Sequence, residues 1–141
     1  MVPADPPASS YRKLARAKKH IADLDGEVMA FLDGNPYAEV CEPDPQRPDY
    51  SVRKVRLVRS LPLSLAEIVG DAANNLRSAL DHAGYEIAVA SGRVHPLHAS
   101  FPFARSAAEF DKTARGLCKD VPDEIFALFR GLEPYKGGNN C

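Results

Sequence analysis

The sequence lacks tryptophan, has two methionines and three cysteines, and contains no long apolar run. No stretch approaches the roughly 18 apolar residues that a membrane-spanning helix needs, so no membrane association is expected. The N-terminus has neither the basic region nor the apolar core of a signal peptide, which predicts a cytoplasmic location. The widely spaced cysteines fit neither a disulfide framework nor a Cys-x-x-Cys metal site, and they are expected to be free thiols. They are Cys41, Cys118 and Cys141.

The composition is that of an ordinary globular protein. Hydrophobic residues make up 45% of the 141 positions and charged residues 26%, with a net charge of −1. This balance excludes wholesale disorder and gives no global attraction to nucleic acid. The length suits one domain. We expect a disordered Pro-rich lead-in over residues 1–8, a single helical domain over residues 9–135, and a flexible, apparently truncated tail over residues 136–141.

Apolar periodicity and capping signals predict four helices. The first begins after Ser9 or Ser10, has an apolar seam at alternating three- and four-residue spacing, and ends at residues 33–36. The second begins at a capping box of Ser64 and Glu67 and ends near residues 91–92. Two shorter helices follow, one capped by Ser106 and one with Pro122 in its first turn. The seam of the first helix comprises Leu14, Ala17, Ile21, Leu24, Val28 and Phe31.

Between the two long helices the pattern changes to short strands. Residues 37–41 and 50–59 are rich in Val and Tyr and flank a Pro-rich loop, which predicts an antiparallel hairpin. The expected fold is therefore mainly α with a small β-hairpin (α+β). It has a long antiparallel helix pair and two short C-terminal helices.

Basic residues concentrate in the first half of the first helix and in the second strand. Positive charge near a helix N-terminus opposes the macrodipole and destabilises the helix by about 0.3–1 kcal/mol per residue. A role in binding an acidic partner or nucleic acid would explain why this cost is tolerated. A solvated face is the alternative. The candidate nucleic-acid-binding residues are Arg12, Lys13, Arg16 and Lys19 on the helix, and Arg53 and Arg56 on the strand.

The second helix carries an unusual polar string over residues 70–85. Its polar positions hold Asn, Ser, Asp and His, where a solvated helix face more often holds Lys and Glu. Such side chains compete for backbone hydrogen bonds and are poorer helix formers. We therefore expect them to bond to something other than bulk water. Four of them fall within about 60° of one another around the helix: Asp71, Asn75, Ser78 and His82.

Three interpretations of this string compete. In the structural one, Arg77 and Asp81 pair on the helix while amides cap neighbouring loops. In the catalytic one, His82 moves protons and Arg77 stabilises phosphate charge, supported by Asn74, Ser78 and Asp81. Arg77 and His82 lie about 140° apart on one helix, so they would converge better across a dimer. In the metal interpretation, Asp71, Asp81 and His82 act with His95 or His98. No His-x-x-x-His or Glu-x-x-His pair anchors that site, and neither a metal nor another cofactor is expected.

The string resembles the signature of an uncharacterised bacterial protein family, Gly-Asp-x-x-His-Asn-Leu-Arg-Ser-Ala-Leu-Asp-His. Further matches are Phe101-Pro102-Phe103 and the segment from Leu132 to Asn139. The sequence departs from the pattern at Asn74, where the family commonly has His. Members continue beyond Lys-Gly-Gly-Asn into more helix, and the resemblance implies no established activity.

The segment from Arg77 to His82 is also similar to the Arg-x-x-x-x-His motif of HEPN ribonucleases, all-helical proteins that are frequently toxins or defence components. The resemblance implies a homodimer that cuts RNA without metal. His82 would then act as general acid/base on the ribose hydroxyl, and Arg77 would steady the phosphate. The alternative function is a non-enzymatic helical interaction or dimerisation module whose polar helix face is structural.

Overall fold

A computed structural model describes residues 8–138, and in this range the chain forms four helices and one β-hairpin. The predicted fold class, mainly α with a small hairpin and two short C-terminal helices, is confirmed. None of the described helices is long and apolar enough to span a membrane. The expected lead-in before Ala8 and the last three residues of the expected tail lie outside the described range. The elements are α1 (Ala8–Asp33), β1 (Tyr37–Asp44), β2 (Arg47–Leu57), α2 (Leu63–Ala90), α3 (Ala107–Leu117) and α4 (Asp123–Gly131).

The described residues divide into two compact units. Unit 1 contains the start of α1 up to Ala17 and all residues from Asn74 onward, and unit 2 contains residues 18–73. In unit 1, Ser9 of α1 contacts His82 of α2. In unit 2, Glu27 of α1 contacts Ser64 of α2. Each contact is of the kind expected between antiparallel helices. The single domain over residues 9–135 stays a prediction.

The apolar core of unit 1 lies where the end of α2, the following loop, α3 and α4 meet. The Phe101 and Phe129 rings pack with centroids 4.9 Å apart, and Cys118 is fully buried beside them. The Cys118 thiol donates to the Ser100 carbonyl oxygen, and burial raises its pKa to about 11. The cluster comprises Ala88, Ala99, Phe101, Cys118, Val121 and Phe129.

The N-cap predicted at Ser106 is confirmed, and the capping box predicted at Ser64 is wrong. The Ser106 hydroxyl accepts from the Glu109 amide and begins α3 as expected. In contrast, α2 begins at Leu63, so Ser64 lies inside the helix, and its hydroxyl donates to the Glu27 carboxylate over 2.5 Å. Ser64 therefore donates to a charged acceptor on another helix, which makes a charge-assisted bond, instead of accepting as the cap of its own helix.

Ser9 and Ser10 also lie inside a helix, because α1 begins at Ala8. Pro122 occupies the N-cap position of α4, one residue before the predicted first turn. The boundary is shifted by two or three residues for α1 and by one residue for α4, because local sequence signals locate helix ends only approximately.

The hairpin of unit 2 is longer than the sequence predicts. β1 continues through Pro43, which is opposite Ser51, and the turn is confined to residues 45–46. Proline is tolerated because both strands of a two-stranded ribbon are edges. Arg59, predicted in the second strand, lies beyond β2, and its guanidinium donates to the Gly34 carbonyl oxygen over 3.1 Å.

Unit 2 buries very few of its residues. Among its residues, all of which lie in the described range, only Pro36 and Ala72 are buried. Ile21 of the predicted seam is 48% exposed, and Val69 of α2 is 49% exposed. Neither residue is in a buried core of the single chain. Every residue of β2 is also exposed.

Candidate functional site

An open cleft of about 500 Å³ lies within unit 1, between the first turn of α1, the C-terminal half of α2 and the loop after it. His82 and Asp81 of the polar string reach it, whereas Asn74, Arg77 and Ser78 do not line it. The lining residues are Ser9, Asp81, His82, Tyr85, Glu86, Pro96, Leu97, Ala99 and Ser100.

His82 and Glu86 hold the beginning of α1 against α2. The His82 Nδ1 atom and the Ser9 hydroxyl are hydrogen-bonded over 2.5 Å. One turn further along α2, the Glu86 carboxylate accepts from the backbone amides of Ser9 and Ser10, and from the Ser10 hydroxyl over 2.9 Å. The first amides of a helix have no partner within the helix, and a negative charge there also suits the macrodipole. Glu86 therefore caps α1 from another helix.

Asp81 fixes the loop that follows α2. One carboxylate oxygen accepts from the Phe101 backbone amide over 2.9 Å, and the other lies 3.9 Å from the Arg77 Nε atom. Because Phe101 belongs to the core of unit 1, this bond connects the polar string to the apolar packing. The Arg77–Asp81 pair of the structural interpretation is present, at a distance typical of a weak ion pair.

Arg77 and His82 are not brought together in the single chain. The Arg77 guanidinium stacks over the Phe103 ring, 4.7 Å from its centroid, and its side chain is 56% exposed. His82 is half-buried in the cleft, which Arg77 does not line. The divergence follows from their five-residue separation on a regular helix.

The described residues contain no group of three or more His, Cys, Asp or Glu side chains that could hold a metal ion. His95 and His98 are exposed in the loop after α2. Asp120 accepts from the backbone amides of Leu97 and His98, and the bond from His98 is the main reason that the pKa of Asp120 lies below its usual value.

The remaining polar residues of the string differ in burial. Asn75 is buried and bonded, Asn74 is exposed, and Ser78 is half-buried. Throughout residues 8–138, no buried side-chain nitrogen or oxygen lacks a hydrogen-bond partner. The polar string therefore adds no unsatisfied buried group that would require a ligand.

The candidate basic residues fall into two groups. On α1, Arg12, Arg16 and Lys19 are exposed and Lys13 is half-buried. Across residues 8–138, none of these four forms an ion pair.

On the hairpin, the basic side chains are neutralised by β1. Arg53 pairs with Glu39 at 3.2 Å, and Arg56 pairs with Glu42 at 2.7 Å. The hydrogen bond from Lys54 is the main reason that the pKa of Glu42 is lowered. From residue 37 to 57 there are four acidic and four basic residues, so the hairpin carries no net charge.

Three polar residues of the cleft were not anticipated from the sequence as part of a site: Glu86, Ser100 and, other than as a helix cap, Ser9. Ser9 and Glu86 are 77 positions apart, and their contact depends on how the two helices pack. The position of Glu86, four residues after His82, places both on one side of α2 and is the only local signal that relates them.

No protein-family model matches the chain, and no curated protein or solved structure gives a significant match. Both resemblances drawn from the motifs of α2 therefore stay predictions.

Proposed function

We propose that the chain is a cytoplasmic, non-enzymatic helical interaction module in which the polar face of α2 is structural. The observation that carries the proposal is the internal bonding of this face. Asp81 holds the Phe101 amide, and His82 binds the Ser9 hydroxyl. These bonds fasten the loop and the start of α1 to α2, whereas Arg77 does not line the cleft.

The exposed apolar residues of unit 2 support an interaction role. Soluble monomers rarely expose large contiguous apolar patches, and larger patches mark interaction sites. Met29 is 52% exposed, Leu32 is 42% exposed, and both follow Ile21 along α1. A partner that covers these side chains would bury the apolar surface that unit 2 leaves exposed. The exposed charges of Lys18 and Asp25 on α1 favour a second copy of the chain as that partner.

Incubation with a mixture of RNAs tests the non-enzymatic role. We expect wild type, Arg77→Ala and His82→Ala to leave the RNA equally intact, measured on denaturing gels beside a protein-free control. Each substitution removes contacts worth about 1 kcal/mol, so both variants should stay folded by circular dichroism. Cleavage by wild type that both folded variants lose would contradict the proposal, whereas cleavage unchanged in both would indicate a contaminating nuclease.

One observation favours a second candidate, a HEPN-like, metal-independent ribonuclease acting as a toxin or defence component. His82 lines an open cleft in the same unit as Arg12 and Arg16, which form no ion pair within residues 8–138 and could steer RNA. In this candidate His82 serves as acid/base and Arg77 contacts the phosphate. Because Arg77 lies outside the cleft, the Arg77 that acts with His82 would have to come from a second copy.

A further inference from the structure

Several apolar side chains of α1 in unit 2 are exposed on one side of the helix. Ile21, Ala22, Met29 and Leu32 are all exposed there. At 3.6 residues per turn, these four side chains lie within an arc of about 100°. The half-buried residues Leu24 and Phe31 lie outside this arc. We call the arc of residues 18, 21, 22, 25, 29 and 32 the outer face of α1.

Two charged residues of opposite sign lie on the outer face. Lys18 and Asp25 are exposed and seven positions apart, so they lie almost directly above one another on the helix. Neither forms an ion pair with another side chain of residues 8–138. Ile21 and Ala22 lie midway between them, so these two charges have opposite signs on either side of the point between Ile21 and Ala22.

A row of charges whose sign reverses about its centre is electrostatically complementary to a copy of itself rotated by 180°. A two-fold axis that passes between Ile21 and Ala22 places Lys18 of each copy beside Asp25 of the other. The same operation brings Ile21 and Ala22 of the two copies together. Two-fold interfaces use the same surface on both subunits, as this arrangement requires. The net charge of −1 opposes such an association only weakly.

We infer that the outer face of α1 binds the same face of a second copy of this chain, with the two α1 helices antiparallel and Lys18 paired with Asp25 across the interface. This inference rests on the proposed interaction function and specifies the partner and the residues that select it. Opposite charges beside an apolar seam set partner choice and orientation in helix pairs.

Charge reversal tests the inference, with the association constant measured by sedimentation equilibrium over a range of protein concentrations. Lys18→Asp and Asp25→Lys each turn two attractive pairs of the dimer into repulsive ones, so each should weaken association by about tenfold or more. The double variant K18D/D25K exchanges the charges and should regain wild-type association. An equimolar mixture of the two single variants should form a heterodimer.

Lys19→Asp and Asp23→Lys are matched controls, because they change the charge of the same helix equally but lie off the outer face. They should leave association within about twofold of wild type, since surface charges away from a contact have small effects.

A wild type that stays monomeric would overturn the inference, as would controls that weaken association as much as the test variants. A wild type that dimerises regardless of K18D and D25K would also overturn it, while leaving the proposed interaction function intact. RNA cleavage that depends on Arg77 and His82 would instead overturn the proposed function.

Discussion

Gly84→Ala is expected to destabilise the chain by about 1–3 kcal/mol, the usual cost of forcing an extra methyl group into a packed site. Gly84 is buried in α2, and a Cβ atom there would lie 2.2 Å from the Ala99 carbonyl oxygen. The obstructing atom belongs to the backbone, so it cannot move away by changing rotamer. Relief requires the loop to shift away from α2, and this loop also carries Phe101 of the core. The free energy of unfolding in urea measures the loss.

Gly70→Ala on the same helix is the matched control. A Cβ atom at Gly70 meets nothing within 4 Å, so the change only removes the flexibility of glycine. It should stabilise the chain by about 0.5–1 kcal/mol. If Gly84→Ala also stabilised the chain, the close packing of the loop on α2 would be refuted.

Asp81→Ala is expected to cost about 1.5–3 kcal/mol of stability, because it removes a charged acceptor from the Phe101 amide. Asp81→Asn keeps an acceptor oxygen and should cost less. Arg77→Ala is the control for the ion pair, which is long and exposed, and it should cost about 1 kcal/mol or less. Thermal and urea unfolding of the three variants measure these differences. If Arg77→Ala lowered the free energy of unfolding as much as Asp81→Ala, the ion pair and not the bond to the loop would be the source of the stability that Asp81 provides.

Local patterns predict the elements of this fold well, because the signals lie within a few residues of the structure that they specify. The Ser106 cap begins α3, and glycine and proline end α1, as expected. The predicted start of α2 fails where a distant group intervenes. Ser64 binds Glu27 in place of its own helix, a contact that spans 37 positions.

Apolar periodicity shows which side of a helix is apolar but not what covers it. The seam of α1 includes Ala17, which is fully buried, and Ile21, which is half exposed one turn later. Likewise, the basic pattern of β2 is visible in the sequence. Its neutralisation by β1 depends on the register of the hairpin, which places Glu39 and Glu42 within reach of Arg53, Lys54 and Arg56.

The candidate site was only partly predictable for the same reason. The composition of the polar string indicated groups that bond to something other than bulk water, and Asp81 and His82 do so. It could not identify the start of α1 as one of those partners, because Ser9 and His82 are separated by 73 positions.

A double-mutant cycle of Ser9→Ala and His82→Ala, followed by unfolding in urea, tests the structural role of the polar string most directly. Changes in helix propensity at either position cancel in the cycle, so the coupling energy isolates the contact between the two side chains. We predict a favourable coupling of at least about 0.5 kcal/mol. Additive effects of the two substitutions would contradict the claim that His82 is engaged within its own chain.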